Sequence, residues 1–235
     1  MPRLHRHTPP PAVGPGLFVT HAHEDTEAAN ETKEALRTIG FAGFVAHQDI
    51  EPTREWEDEI LRNLRTCVGL VVVSTSYGRS SAWVNQEIGF AVGRGVPVIA
   101  VDRGSPPWGM LYRFQSLRWK VAGAEIDSLD ARKYNIPKLY RALENVGIGT
   151  RDLLIEGIGQ SDSFEEARVT ATLLAGQGEL RRDQAVRLAT LSAENVNIRN
   201  CYVAQSKLPP LLVPFREHIP PKIREILNSS RMGLD

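Results

Sequence analysis

Trp83 and Glu87 lie four residues apart in "SSAWVNQEIGF" (80–90), so on a helix they share one face. One offers a broad aromatic surface and the other an anion. Val84, Ile88, Ala91 and Val92 form a separate apolar stripe at the same period. A helix can bury that stripe without either residue. Two readings are open. In one, Trp83 and Glu87 are a surface pair, with Trp83 half-buried over the stripe. In the other they are placed together to do chemistry.

A second stretch, "THAHEDT" (20–26), offers metal-ligand types. His21, His23 and Asp25 resemble the H-x-H-x-D-H signature of metallo-β-lactamase-like hydrolases, in which zinc takes imidazoles and a carboxylate. Thr26 stands where the last histidine is needed. The other histidines, His5, His7, His47 and His218, are scattered along the chain. No metal site is expected. A polar strand-to-helix loop, with Asp25 capping the helix, accounts for the same residues. There is no G-x-G-x-x-G or G-x-x-x-x-G-K-[ST] after a strand, and no G-x-S-x-G elbow. Nucleotide-fold phosphate loops and serine hydrolases therefore have no sequence support.

The elements that must position these residues alternate. "GLFVT" (16–20) reads as a strand, and "DTEAANETKEALRTIG" as a helix with Gly40 as its stop signal. Ala28, Ala29, Thr32, Ala35, Leu36 and Ile39 form that helix's stripe. "GFVAH" (43–47) is a second strand, and "HQDIEPTRE" a polar loop. Trp56, Ile60, Leu61 and Leu64 face one way on the next helix. "CVGLVVVST" (67–75) is too apolar to have a wet face and belongs at the centre of a sheet. "SYGRSS" is a loop, and Ser80 or Ser81 can cap the helix of Trp83 and Glu87. Gly93 and Gly95 serve as its C-caps. "VPVIAVD" (96–102) is a fourth strand, "QSLRWK" (115–120) a short edge strand, and "IPKLYRALENVG" (136–147) a helix. Such alternation implies a parallel sheet with helices on both faces.

The 235 residues allow one large domain or two small ones. Lys plus Arg equals Asp plus Glu, 28 each, and the balance holds on both sides of residue 150. Neither half has the basic excess of a nucleic-acid module, so no direct nucleic-acid partner is expected. Cys67 and Cys201 are too few for a disulfide framework or a zinc site, which suits a reducing cytoplasm. The longest apolar run, "VGLVVV", is far short of a membrane span. Residues 1–15, rich in Pro, Gly and basic groups, read as a disordered leader. Residues 16–148 read as the α/β domain. Residues 149–235 read as a small all-helical region with no strand signal. Its candidates are "SFEEARVTATLLAG", with a Ser163–Glu166 capping box, "RRDQAVRLATLSAEN", "NIRNCYVAQSKL" and "PPKIREILNS", broken by Pro209–Pro210 and Pro220–Pro221.

If the sheet has the flavodoxin-like order 2-1-3-4-5, a crevice lies where the winding reverses, at the C-terminal ends of strands 1 and 3. "THAHED" and "TSYGRSSAW" leave those ends, and the helix of Trp83 and Glu87 starts there. The same segments resemble a prokaryotic Toll/interleukin-1 receptor (TIR) domain. "FVTHAHED" is similar to that family's first strand and F-x-S-H-S-x-E-D loop. "QDIEPTREWEDEI" is similar to its BB loop, D-I-x-P-G-x-x-W. "STSYGRSSAWVNQEI" is similar to S-x-x-Y-x-x-S-x-W-C-x-x-E. Thr20, Thr53 and Val84 stand where Ser, Gly and Cys are usual. The resemblance covers about residues 15 to 140 and implies a flavodoxin-like parallel sheet of about five strands.

It also implies chemistry. Many members cleave NAD+ at the nicotinamide–ribose bond, some cyclising the ADP-ribose product as a signal in anti-phage immunity, and their carboxylate aligns with Glu87. NAD+ is then a substrate, and no cofactor is needed. On this reading Glu87 is catalytic and Trp83 stacks on a ring of the substrate. Thr20, His21, Ser74 and Ser76 contact ribose and phosphates, and Arg79 balances phosphate charge. Glu87 is expected at the mouth of an open crevice, so that a second copy would have to close the site. The alternative is a non-catalytic adaptor that acts by self-association. A nucleoside deoxyribosyltransferase relative shares the sheet and a catalytic Glu, but lacks the three loop signatures.

Overall fold

The structure is a computed structural model that describes residues 15–45, 56–114, 116–121 and 127–234. The sheet has five parallel strands: β1 (Gly16–Thr20), β2 (Ala42–Phe44), β3 (Gly69–Ser74), β4 (Val98–Asp102) and β5 (Ser116–Arg118). Their order is β2-β1-β3-β4-β5, so the winding reverses between β1 and β3. Thr20, the last residue of β1, lies in register with Val72 of β3. β3 is buried along its whole length, as its unbroken apolar run requires. β2 starts and ends earlier than the sequence reading placed it. The expected leader, His47 and the BB-loop residues Pro52 and Thr53 lie outside the described residues.

Helices α1 (Thr26–Thr38), α2 (Trp56–Thr66), α3 (Ser76–Ser80), α4 (Ala82–Arg94) and α5 (Ser128–Asn145) complete the α/β unit. Alternation along the strands sorts them by face. Leu17, Val19, Val71, Val73, Ile99 and Val101 pack with α1 and α5. Phe18, Leu70, Val72 and Val98 pack with α2 and α4. The α1 stripe is buried throughout, from Ala28 to Ile39. On α2, Ile60 and Leu64 are buried but Leu61 is exposed, because it sits one residue past the stripe. Ser81 caps α4 by accepting from the Val84 N–H at 3.3 Å, and Gly95 ends it at φ 71°. Gly93 lies inside the helix rather than capping it.

Other expectations needed correction. "SYGRSS" is not a loop: α3 forms there, with Thr75 accepting from Gly78 N–H at 2.9 Å. α5 begins at Ser128, capped by Asp127, and carries Pro137 inside. A proline removes one backbone hydrogen bond there. Ile136, Leu139, Tyr140 and Leu143, all buried, hold the helix across it.

The C-terminal region is helical: α6 (Arg151–Gly159), α7 (Phe164–Ala175), α8 (Arg182–Glu194), α9 (Val196–Asn200), α10 (Tyr202–Lys207), α11 (Pro209–Leu212) and α12 (Pro221–Ser229). α6 was not foreseen, and Pro209 and Pro210 open a helix instead of breaking one, since proline suits a first turn. Ser163 accepts from Glu166 N–H at 3.2 Å, but Glu166 reaches back to Asp162 N–H, so the expected capping box is shifted.

This region shares one apolar core with α1 and α5. Backbones touch where α6 crosses the end of α1. A Cβ on Gly157 would lie 2.6 Å from Gly40 N and from Thr38 O. Gly40, at φ 87°, needs its glycine for both the turn and this approach. Beside it Arg37 bonds Glu166 at 2.8 Å and the Gln160 carbonyl at 2.8 Å.

Candidate active site

Thr20 and Glu87 lie 67 residues apart in the sequence and meet at the reversal of the sheet. Thr20 shares the strand face of Phe18, which looks onto α4. Its hydroxyl donates to Glu87 Oε2. Both are buried, Glu87 to 7% exposure and Thr20 to 1%. Glu87 makes no ion pair among the described residues. Burial raises its pKa from 4.5 to about 7, and the Thr20 hydroxyl opposes that rise.

The surrounding segments are fastened to one another. Asp25 sits at the start of α1, as the sequence reading had it, but its carboxylate does not cap the helix. It accepts from Thr75 Oγ1 at 2.5 Å, joining the loop after β1 to the loop after β3. Burial raises the Asp25 pKa, against the lowering effect of that Thr75 hydrogen bond. Arg103, just past β4, pairs with Glu31 of α1 at 2.6 Å. Trp108 Nε1 donates to Asn85 Oδ1 at 2.8 Å, and Asn85 in turn donates to the Ser81 carbonyl at 2.7 Å. The start of α4 is thereby locked from outside the helix.

The site residues expected from sequence separate into three groups. Thr20 and Glu87 are in direct contact, so the Thr20 hydroxyl proton serves Glu87 and not a substrate. His21 and Ser74 are buried. Ser74 donates to the Ser105 carbonyl at 3.0 Å, which commits its hydroxyl proton. Ser76, Arg79 and Trp83 are exposed on α3 and the first turn of α4, Trp83 to 46%. Glu87 is therefore not at the open mouth of the crevice, as expected. Position 87 lies one turn inside the helix, where α4 packs on β1, while position 83 precedes that contact. Thr75, Asn85 and Trp108 were missed. A Thr directly after an apolar strand and three before a Gly is a readable capping signal for Thr75. The Trp108–Asn85 bond spans 23 residues and has no local signature.

Among the described residues, no group of three or more His, Cys, Asp or Glu is placed to hold a metal. In "THAHED", His21 and Asp25 are buried and His23 is exposed.

Residues 17–134 match the TIR domain family. The chain belongs to that family. Its five-stranded parallel sheet with flanking helices is the TIR fold, and the signatures that follow β1 and β3 leave the C-terminal ends of those strands. No curated protein and no solved structure matches the chain. Among the described residues, no helix is long and apolar enough to cross a membrane. Within the TIR domain the Thr20–Glu87 contact lies at the switch point between β1 and β3, where open α/β sheets bind ligands.

Proposed function

We propose that this TIR domain cleaves NAD+ at the nicotinamide–ribose bond, with Glu87 as the catalytic carboxylate. The observation that carries this reading is a buried carboxylate that, among the described residues, has one hydrogen bond and no cation partner, at the sheet's switch point. Such a group is costly to ionise alone. A substrate that brings a positive charge beside it recovers that cost.

The chemistry needs one carboxylate. The C–N glycosidic bond breaks with its electron pair going to the pyridinium nitrogen, which leaves as neutral nicotinamide. No general acid is required, unlike glycoside hydrolysis with its alkoxide leaving group. Positive charge moves to the ribosyl carbon, where the Glu87 anion stabilises it. Water then adds and releases a proton, giving ADP-ribose. An adenine nitrogen adding in its place gives a cyclic product. Thr20 holds the carboxylate as the anion. Trp83, half-exposed one turn earlier, is the surface on which a substrate ring stacks. Ser76 and Arg79 supply polar and cationic contacts. A signalling role, within a cytoplasmic immune response, follows from the same reading.

Self-association belongs to this proposal. Its reason is no longer that Glu87 is wet, since Glu87 is buried. A second copy would complete the wall around the substrate beyond α3, the start of α4 and the 3-10 turn Gly109–Arg113, where Tyr77, Trp83, Met110 and Tyr112 are exposed. The test is nicotinamide release at constant NAD+ over a range of protein concentration, followed by chromatography. Activity per molecule should rise with concentration. Flat activity rejects the assembly, and no release at any concentration leaves the adaptor reading.

A further inference from the structure

A separate cavity of about 620 Å³ lies between α5, α7 and α10, on the sheet face opposite α4. Among the described residues Lys133, Arg141, Arg168 and Lys207 line it, with Glu144 as the one carboxylate. Lys133 and Arg168 have local partners, Asp130 at 3.0 Å and Glu165 at 2.8 Å. Arg141 and Lys207 carry no ion pair among the described residues. The remaining wall is apolar, with Val169, Leu173 and Val203.

Tyr140 lines the same cavity. Its side chain is fully buried, and its hydroxyl has no hydrogen-bond partner among the described residues. An orphaned buried hydroxyl is costly, and native structures leave few of them unexplained. Lys133, Pro137, Tyr140, Arg141 and Glu144 recur at helical spacing, so one face of α5 supplies both the donor and two of the cations.

We infer that this cavity is a binding site for a small soluble organic phosphate. The phosphate takes the excess of cations and the Tyr140 hydroxyl, and the organic body covers the apolar wall. Multiple charge on the ligand fits better than a carboxylate, because Arg141 and Lys207 both stand without an ion pair among the described residues and Lys133 and Arg168 add to the positive wall. The Tyr140 pKa is raised to about 12, mainly by burial, so its hydroxyl stays a donor at neutral pH. The site joins the last helix of the α/β unit to two C-terminal helices, which gives the C-terminal region a ligand of its own.

The experiment is calorimetric titration of the full chain with phenyl phosphate, and with inorganic phosphate in parallel. Phenyl phosphate should bind more tightly than inorganic phosphate. The doubly substituted Arg141→Glu, Lys207→Glu chain should lose affinity about tenfold or more, since both positions are exposed and tolerate reversal. Tyr140→Phe should weaken binding severalfold while melting normally, because the lost hydroxyl has no protein partner. Glu87→Gln should bind phenyl phosphate unchanged, which separates this site from the Glu87 site. Absence of phenyl phosphate binding, binding unaltered by the charge reversal, or equal affinity for inorganic phosphate overturns the inference.

Discussion

Glu87 is held where a carboxylate is least comfortable, and that has consequences for stability as well as rate. Its pKa in the folded protein is about 7 against 4.5 unperturbed, so the folded state binds the extra proton. Stability is therefore lost as pH rises from 4.5 through about 7, and the full cost stands above that. The size of the rise corresponds to about 3 kcal/mol. Glu87→Gln should accordingly stabilise the protein by about 1–3 kcal/mol at pH 8 and by little at pH 4, in urea unfolding. An equal effect at both pH values would mean that Glu87 is not a strained ionised group. Thr20 acts in the opposite sense, since its hydroxyl favours the anion. Thr20→Val should move the acid limb of kcat/KM to higher pH, and Thr20→Ser should restore it. The Trp83–Glu87 spacing was readable in the sequence. The burial of Glu87 was not, because the stripe of Val84, Ile88 and Ala91 accounts for the helix without it. Only the approach of Thr20 from β1 makes the difference.

Among the elements, those with a strong period were the most legible. The α1 stripe, the central position of β3, the Ser81 cap and the Gly95 stop all follow from local pattern. Elements with short or broken patterns were not. α3 is five residues long and is nucleated by the Thr75 cap. α5 continues through Pro137, where tertiary packing outweighs one lost hydrogen bond. The α1–α6 crossing depends on two glycines far apart in sequence. Gly157→Ala would press a methyl group to 2.6 Å from the Gly40 nitrogen, where only backbone could yield. It should cost about 1–3 kcal/mol in denaturant unfolding. Gly89→Ala, on α4 with open space around it, is the control and should be neutral or mildly stabilising. Equal losses at both would show that helix propensity, not the crossing, decides.

At the scale of the molecule, a parallel sheet with helices on both faces was legible from alternation and crossover length, while the strand order was an assumption supported by the resemblance to the TIR family. The place of the C-terminal helices was not legible. Their sequence reads as an appendage, yet Leu154, Ile155 and Ile158 enter the same core as Leu36, Ile39 and Leu139. That region covers the α1–α5 face and leaves the α4 face, with Glu87, free of it. The fold therefore puts the proposed reaction site and the cationic cavity on opposite faces of one sheet. The central claim is that the charge of Glu87 drives cleavage of NAD+. It is tested most directly by measuring nicotinamide released from saturating NAD+ at high protein concentration, for wild type, Glu87→Gln and the remote control Glu34→Gln. Loss of roughly a hundredfold or more in Glu87→Gln, with Glu34→Gln unchanged, is the predicted result. Release by Glu87→Gln at the wild-type rate would contradict it.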